Sequence, residues 1–426
     1  MTIAVITTAV TSNPFPPIIP YPLSCPASRG FFLPLLIHGK ICYDLVMKYL
    51  AVLGRLPLLS IAELESLFTE VEPRTERGAN LRQNDAKTPA LATFESVETP
   101  DLNRLGGTQK LGIELPEGFN YLIDALTDLP DGKITLGVSD FRRHATAFKA
   151  QGEALKLKKI LQRRGRSVRV LENKASVLST ATSHHHQLGE KPNRVEILMT
   201  DFGNFRLIGV QNITAYAKRD QARPARDARV GMLPPKLAQI LINLCGPLPK
   251  NATLLDPFCG TGVVLQEAHL MGLKPYGTDL EPRMIEYSKK NLDWLGCANY
   301  RLEPGDATTA KWQQPVNAIA CEAFLGSPMS APPADIKLKQ EKERCRTIIL
   351  GFFKNLSSQI AKDTPIAIAV PAWLRPDGTY SRLNLLDEVE KLGYNVKKFN
   401  NLGETDLLYY REGQIVARDI IVLRKK

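Results

Sequence analysis

The run Asp256-Pro257-Phe258-Cys259-Gly260-Thr261-Gly262 constrains this chain more than any other segment. The apolar stretch before it, Ala252 to Leu255, reads as a buried strand, and the apolar spacing from Val263 to Met271 predicts a helix behind it. An acid followed by two glycines in a strand-to-helix turn suits a nucleotide-type ligand. Glycines let the backbone approach a ligand that a side chain would block, and a helix start offers free N–H groups. The Gly-x-Gly-x-x-Gly spacing of a pyrophosphate loop is missing, as is the Gly-Lys-Ser/Thr of a phosphate-cradling ATPase loop.

The segments that follow alternate in type. Strands are expected at Lys274 to Asp279, Tyr300 to Glu303, Ala318 to Glu322, Pro365 to Val370, Tyr394 to Phe399 and Ile415 to Leu423. Helices are expected at Glu281 to Leu295, Lys337 to Ala361 and Leu383 to Leu392. Such alternation implies an α/β fold, a parallel sheet covered on both faces. Ligands of such sheets sit at the carboxyl ends of the strands, where Asp256, Asp279, Asp306 and Glu322 all fall. Asp279 lies about twenty residues past the glycine turn, a spacing that suits an acid holding ribose hydroxyls.

The 426 residues suffice for two or three domains. Contents of 44% hydrophobic and 23% charged residues are those of an ordinary soluble protein. Seven cysteines at no metal-type spacing fit reduced intracellular thiols. No apolar run approaches the ~18 residues of a membrane span, and no basic start followed by an apolar run suggests a secretory signal. The formal charge of +11 is held in one region. Between Asp131 and Arg229, 20 Lys and Arg stand against 9 Asp and Glu, a net of +11, so the remainder balances to zero. A concentrated basic surface is the footprint of a phosphate-bearing partner; a solvated helix face is the plainer reading of any single basic run.

In that region strands are expected at Lys133 to Asp140, Ser167 to Leu171, Arg194 to Met199 and Phe205 to Val210, with helices at Ala145 to Arg164 and Ser179 to Leu188. Upstream, Met47 to Gly54 reads as a strand and Ile61 to Phe68 as a helix capped by Ser60. Residues 1–46, rich in Pro, Ser and Thr, read as a disordered leader or as a start misassigned ahead of Met47.

The glycine run resembles the cofactor half of S-adenosylmethionine-dependent methyltransferases. Its wording is similar to that of the tRNA guanine-N2 methyltransferases acting on position 10. A second block agrees with that family: Ala217-Lys-Arg-Asp220, Arg223-Pro-Ala-Arg226-Asp227 and Gly231-Met-Leu-Pro234-Pro235-Lys236-Leu-Ala238. The resemblance runs from about Met47 to the C-terminus. It implies a Rossmann-like class I methyltransferase domain over 216–426, with a mostly parallel seven-stranded sheet. Ahead of it would lie a ferredoxin-like domain at 47–130, which includes the similar Leu105-Gly-Gly-Thr-Gln-Lys110, and a THUMP-like RNA-binding domain at 131–215. The implied cofactor is S-adenosylmethionine. Asp256, Gly260 and Gly262 would line its methionine part, Asp279 its ribose and Asp306 its adenine amine. Pro234, Phe258, Leu280 and Ala307 would complete the lining. The implied partner is tRNA, gripped by Lys156, Lys158, Lys159, Arg163, Arg164 and Arg166, and the implied location is the cytoplasm. Whether a small activator subunit takes part stays open, as do the target nucleotide and the number of methyl groups.

The match breaks at the fourth strand. The family places Asn or Asp, two prolines and an aromatic there; this chain has Cys321-Glu322-Ala323-Phe324-Leu325-Gly326. Glu322 is expected to accept hydrogen bonds from the target amine and Phe324 to stack on the base, in an altered pocket. A DNA amino-methyltransferase and a catalytically silent RNA-binding homologue are the alternatives. His184-His185-His186 lacks a carboxylate or cysteine at ligand spacing, so no metal is expected. Cys259 and Cys321 read as small packing residues rather than nucleophiles.

Overall fold

The computed structural model describes residues 32–37, 40–74, 89–227 and 232–426. Strands β1 (Phe32–Ile37) and β2 (Lys40–Leu45) form an antiparallel pair within the segment expected to be a leader; residues 1–31 lie outside the described part.

A first sheet follows. Its elements are β3 (Met47–Leu53), α1 (Pro57–Leu67), β4 (Thr69–Arg74), β5 (Leu91–Ser96), β6 (Thr108–Glu114), α2 (Phe119–Thr127), β7 (Ile134–Asp140), α3 (Ala147–Arg163), β8 (Val168–Val170), α4 (Thr180–His185), β9 (Arg194–Thr200) and β10 (Gly203–Val210). The eight strands lie in the order β4-β5-β3-β6-β10-β9-β7-β8. Strands from both sides of residue 130 therefore share one sheet, joined where β10 pairs β6 antiparallel. β9 and β10 pair as an antiparallel hairpin, with Gly203 opposite Thr200. Ser60 is not a helix cap. The helix begins three residues earlier at Pro57, whose missing N–H costs nothing in a first turn. Ser60 lies inside α1, and its hydroxyl donates to the Gly107 carbonyl at 2.8 Å.

After α5 (Ile213–Gln221) and α6 (Pro235–Leu244) comes the second sheet. Its elements are β11 (Thr253–Asp256), α7 (Val263–Leu270), β12 (Lys274–Asp279), α8 (Pro282–Trp294), β13 (Arg301–Pro304), β14 (Ala318–Glu322), α9 (Asp335–Leu356), β15 (Pro365–Leu374), β16 (Tyr380–Ser381), α10 (Leu386–Lys391), β17 (Tyr394–Val396), β18 (Leu408–Tyr409) and β19 (Val416–Lys425). Seven strands run β13-β12-β11-β14-β15-β19-β17, and the two-residue strands β16 and β18 pair with β15 and β19. The first five are parallel, and β19 runs antiparallel between β15 and β17. The chain winds outward from β11 through β12 to β13, then returns to β14 on the other side, so a switch point lies between the carboxyl ends of β11 and β14. β15 runs four residues past its expected end because β19 pairs with it from Pro365↔Arg424 to Trp373↔Val416. Apolar residues bury both faces. Leu237, Leu241 and Val264 pack on one; Ile349, Phe352 and Phe353 of α9 pack on the other.

The two sheets are joined through α1. Leu59 and Ala62 belong to the same apolar cluster as α6 and β11, and each fully buried leucine contributes about 2 kcal/mol. The buried Glu63 carboxylate lies at the centre of this junction. It accepts from Gly106 N at 2.9 Å, Gly107 N at 2.8 Å and Asn243 Nδ2 at 2.7 Å. A Cβ at Gly106 would fall 2.1 Å from the Lys236 carbonyl at the start of α6, so only glycine allows this approach.

Candidate active site at the switch point

The glycine turn is built from backbone and cross-linked from behind. Gly260 and Gly262 both take left-handed φ, +52° and +79°, which glycine adopts without a Cβ penalty. Gly262 N donates to Cys259 O at 2.7 Å. Ser288 Oγ donates to Gly260 O at 2.8 Å, and Asn291 Nδ2 to Thr261 O at 2.8 Å. Asn291 also bonds the backbone of Ala225 in both directions, and Arg283 pairs with Asp227 at 2.9 Å. Thus α8 ties the Arg223-to-Asp227 block to the glycine turn. No local sequence signal marked Asn291, which lies 66 positions from its partner.

Asp256, Asp279 and Glu322 lie near one another at the ends of β11, β12 and β14, and Asp306 follows β13. Asp256 is buried and accepts from Phe258 N at 3.1 Å; burial, with Asp279 and Glu322 nearby, holds its carboxyl well above the usual range. Asp279 accepts from Gly260 N at 2.8 Å and from Glu281 N at 2.9 Å, and its own burial raises its pKa. Asp306 Oδ1 accepts from Thr308 N and Oγ1. Ala307 is buried, Pro234 occupies the N-cap position of α6, and the Phe258 ring meets Phe352 edge-on at 5.3 Å. Leu280, 70% exposed, presents an apolar side chain directly after Asp279.

These residues fit a nucleoside ligand. Over Gly260 an added Cβ would meet only Phe258 O, at 4.0 Å, so the turn's surface is open, and Leu280 offers an apolar cover beside carboxylates suited to hydroxyls and amines. Cys259 and Cys321 are buried thiols whose pKa burial raises, which leaves neither poised as a nucleophile.

The turn after β14 is built from side chains. Glu322 Oε1 accepts from Arg418 Nε at 2.5 Å, and Arg418 is buried. Among the described residues Oε2 accepts no hydrogen bond, and 14% of the Glu322 side chain is exposed. Burial raises the Glu322 pKa while Arg418 opposes it. The Arg344 guanidinium lies 4.7 Å from the Phe324 ring centroid. Gly326 takes φ +86°, and Ser327 N donates to Glu341 Oε2 at 3.1 Å. Gly326 and Glu341 hold this turn, where the resemblance implies two prolines. Arg418, 96 positions from Glu322, escaped the sequence reading.

The basic residues lie in the first sheet's region. Lys156, Lys159, Arg163 and Arg164 on or beside α3 are exposed, Lys158 and Arg166 partly so. Arg164 pairs with Asp124, and Arg166 donates to Pro130 O at 2.6 Å, so these two are engaged structurally. His184 Nε2 lies 3.3 Å from Thr214 Oγ1. No cluster of three His, Cys, Asp or Glu able to hold a metal occurs among the described residues, and none of their helices is long and apolar enough to cross a membrane.

Residues 248–372, which span the glycine turn, the acids and Glu322, match the family described as "Methyltransferase domain". The chain carries a methyltransferase domain. It is 31% identical over 175 residues to the tRNA (guanine(10)-N2)-dimethyltransferase of Methanothermobacter thermautotrophicus, covering 40% of this chain and 49% of that protein. It is 28% identical over 360 residues to the protein of the same name from Pyrococcus abyssi, covering 82% of this chain and 93% of that one. Among solved structures, that titled TrmN from Thermus thermophilus aligns over 89% of this chain and all of its own, at 17% identity and a TM-score of 0.44.

Proposed function

We propose that this chain transfers methyl groups from S-adenosylmethionine to the N2 amine of a guanine in tRNA, as the names of its relatives suggest. The donor supplies a methyl group on a sulfonium whose positive charge vanishes on transfer. The residues around Asp256, Gly260, Gly262, Asp279 and Asp306 are those to hold it, with Pro234, Phe258, Leu280 and Ala307 around them. The observation that carries the acceptor side is the half-engaged carboxylate of Glu322. Arg418 clamps one oxygen, and the other remains to accept from an N–H of the exocyclic amine and orient the nitrogen, which is mostly positioning. Phe324, with Arg344 against it, offers a ring for a base turned out of its helix. The basic face of the first sheet's region is the side that meets RNA phosphates, and a tRNA substrate carries with it a cytoplasmic setting.

The test is to incubate the full chain with radiolabelled S-adenosylmethionine and, separately, tRNA and duplex DNA. Label on the guanine N2 of tRNA is expected. Label in DNA alone would replace this reading by a DNA amino-methyltransferase. Bound tRNA without label would make the chain a silent RNA-binding homologue.

A further inference from the structure

We propose that the outward face of α3, centred on Phe148 and Gly152, is a stacking platform for unpaired RNA bases. The class of partner rests on the reading just given; the surface itself rests on three other observations. The first is exposure. Phe148 is 87% exposed, more than any other large apolar side chain among the described residues, and Leu155 on the same face is 44% exposed. Ala150, Ala154, Leu157 and Leu161 bury the opposite face against the sheet. At 3.6 residues per turn, Phe148, Gly152, Leu155, Lys159 and Arg163 share one outward stripe.

The second is Gly152. It lies in the interior of a 17-residue helix, where glycine costs about 1 kcal/mol relative to alanine. A Cβ there would meet nothing within 4 Å, and its φ is not left-handed. Neither packing nor backbone conformation requires glycine. What its absent side chain does provide is bare backbone between Phe148 and Leu155, room for a flat ring to lie close against the helix.

The third is charge. The only acid in α3 is Glu153, which faces Arg142 at 3.6 Å. Lys159 and Arg163 continue the stripe, and Arg143, His144 and Lys149, within five residues of Phe148 in the chain, are exposed as well. An aromatic ring in a cationic field matches alternating base and phosphate. Stacking on such a ring is sequence-tolerant because every base has a π-face.

The experiment measures binding of the full chain, without methyl donor, to a short fluorescein-labelled single-stranded RNA and to an RNA duplex, by anisotropy. Phe148→Ala is expected to weaken single-strand binding about tenfold and to leave duplex binding unchanged. Gly152→Ala is expected to raise or hold Tm while weakening single-strand binding, which separates the surface from the fold. Phe148→Trp is expected to lose fluorescence as RNA is added. Wild-type single-strand binding by Phe148→Ala, or a Gly152→Ala protein altered in Tm alone, would overturn the proposal. So would loss of a concentration-dependent dimer in Phe148→Ala with RNA binding intact, which would give the face to a second copy. Methyl transfer to tRNA with Phe148 inert overturns this inference alone. A Phe148-dependent RNA grip without transfer overturns the catalytic reading alone.

Discussion

The two turns that flank the switch point are held in opposite ways. The turn after β11 is fixed first by backbone conformation, two left-handed glycines; its peptide groups donate to the Asp279 carboxylate and accept from the Ser288 and Asn291 side chains. The turn after β14 has one left-handed glycine, Gly326, and is otherwise fixed by long side chains that arrive from α9 and β19, namely Arg344, Glu341 and Arg418. A backbone-built turn leaves its surface free for a ligand and tolerates little change. A side-chain-built turn can be retuned by substitutions far away.

Four substitutions test that contrast, in falling order of expected effect. Glu322→Ala should reduce transfer by roughly 10²–10⁴-fold while donor affinity, read by calorimetry, stays within a few-fold; equal losses in both would merge the two turns into one site. Arg418→Met should reduce transfer less and in a pH-dependent way. Without the guanidinium the Glu322 carboxyl climbs further, so the acid limb of the pH–rate profile moves to higher pH and activity recovers as pH rises; a uniform loss at all pH would make Arg418 merely structural. Gly262→Ala should cost about 1–3 kcal/mol of stability through a left-handed backbone, since its Cβ would lie 2.8 Å from Ser288 Oγ. Its donor affinity should fall while RNA binding is kept. Smallest is the pH response of Glu63. Burial lifts its pKa from 4.5 to about 7. The folded chain therefore keeps a proton that the unfolded chain has released, and stability falls as pH rises from about 4.5 to about 7. Glu63→Gln should flatten that part of a stability-versus-pH curve from chemical denaturation.

The same contrast explains what could be read from the sequence. β12 and β14 are legible to the residue, because a short strand ending in an acid, in regular alternation with helices, carries its own signal. The acids and glycines sit at strand ends for the same reason. α6 carries no such signal beyond its Pro234-Pro235 start, because it is buried nearly all round between α1 and the sheet and lacks a polar face to set its period. Ser60 misled because a serine before an apolar run looks like a cap, whereas Pro57 begins the helix. Arg418 and Asn291 act across 96 and 66 positions, and no local pattern announces such partners. The join of the two front segments in one sheet rests on β10 pairing β6, another long-range event.

Glu63 draws the Gly106-Gly107 loop, α1 and Asn243 of α6 to one carboxylate. That shared carboxylate ties the first sheet, which carries α3, to the second, which carries the strand ends, like the jaws of a caliper. On the proposed reading, a polymer held at one jaw would bring a particular nucleotide to the other, and its distance along the folded RNA would decide which base is reached.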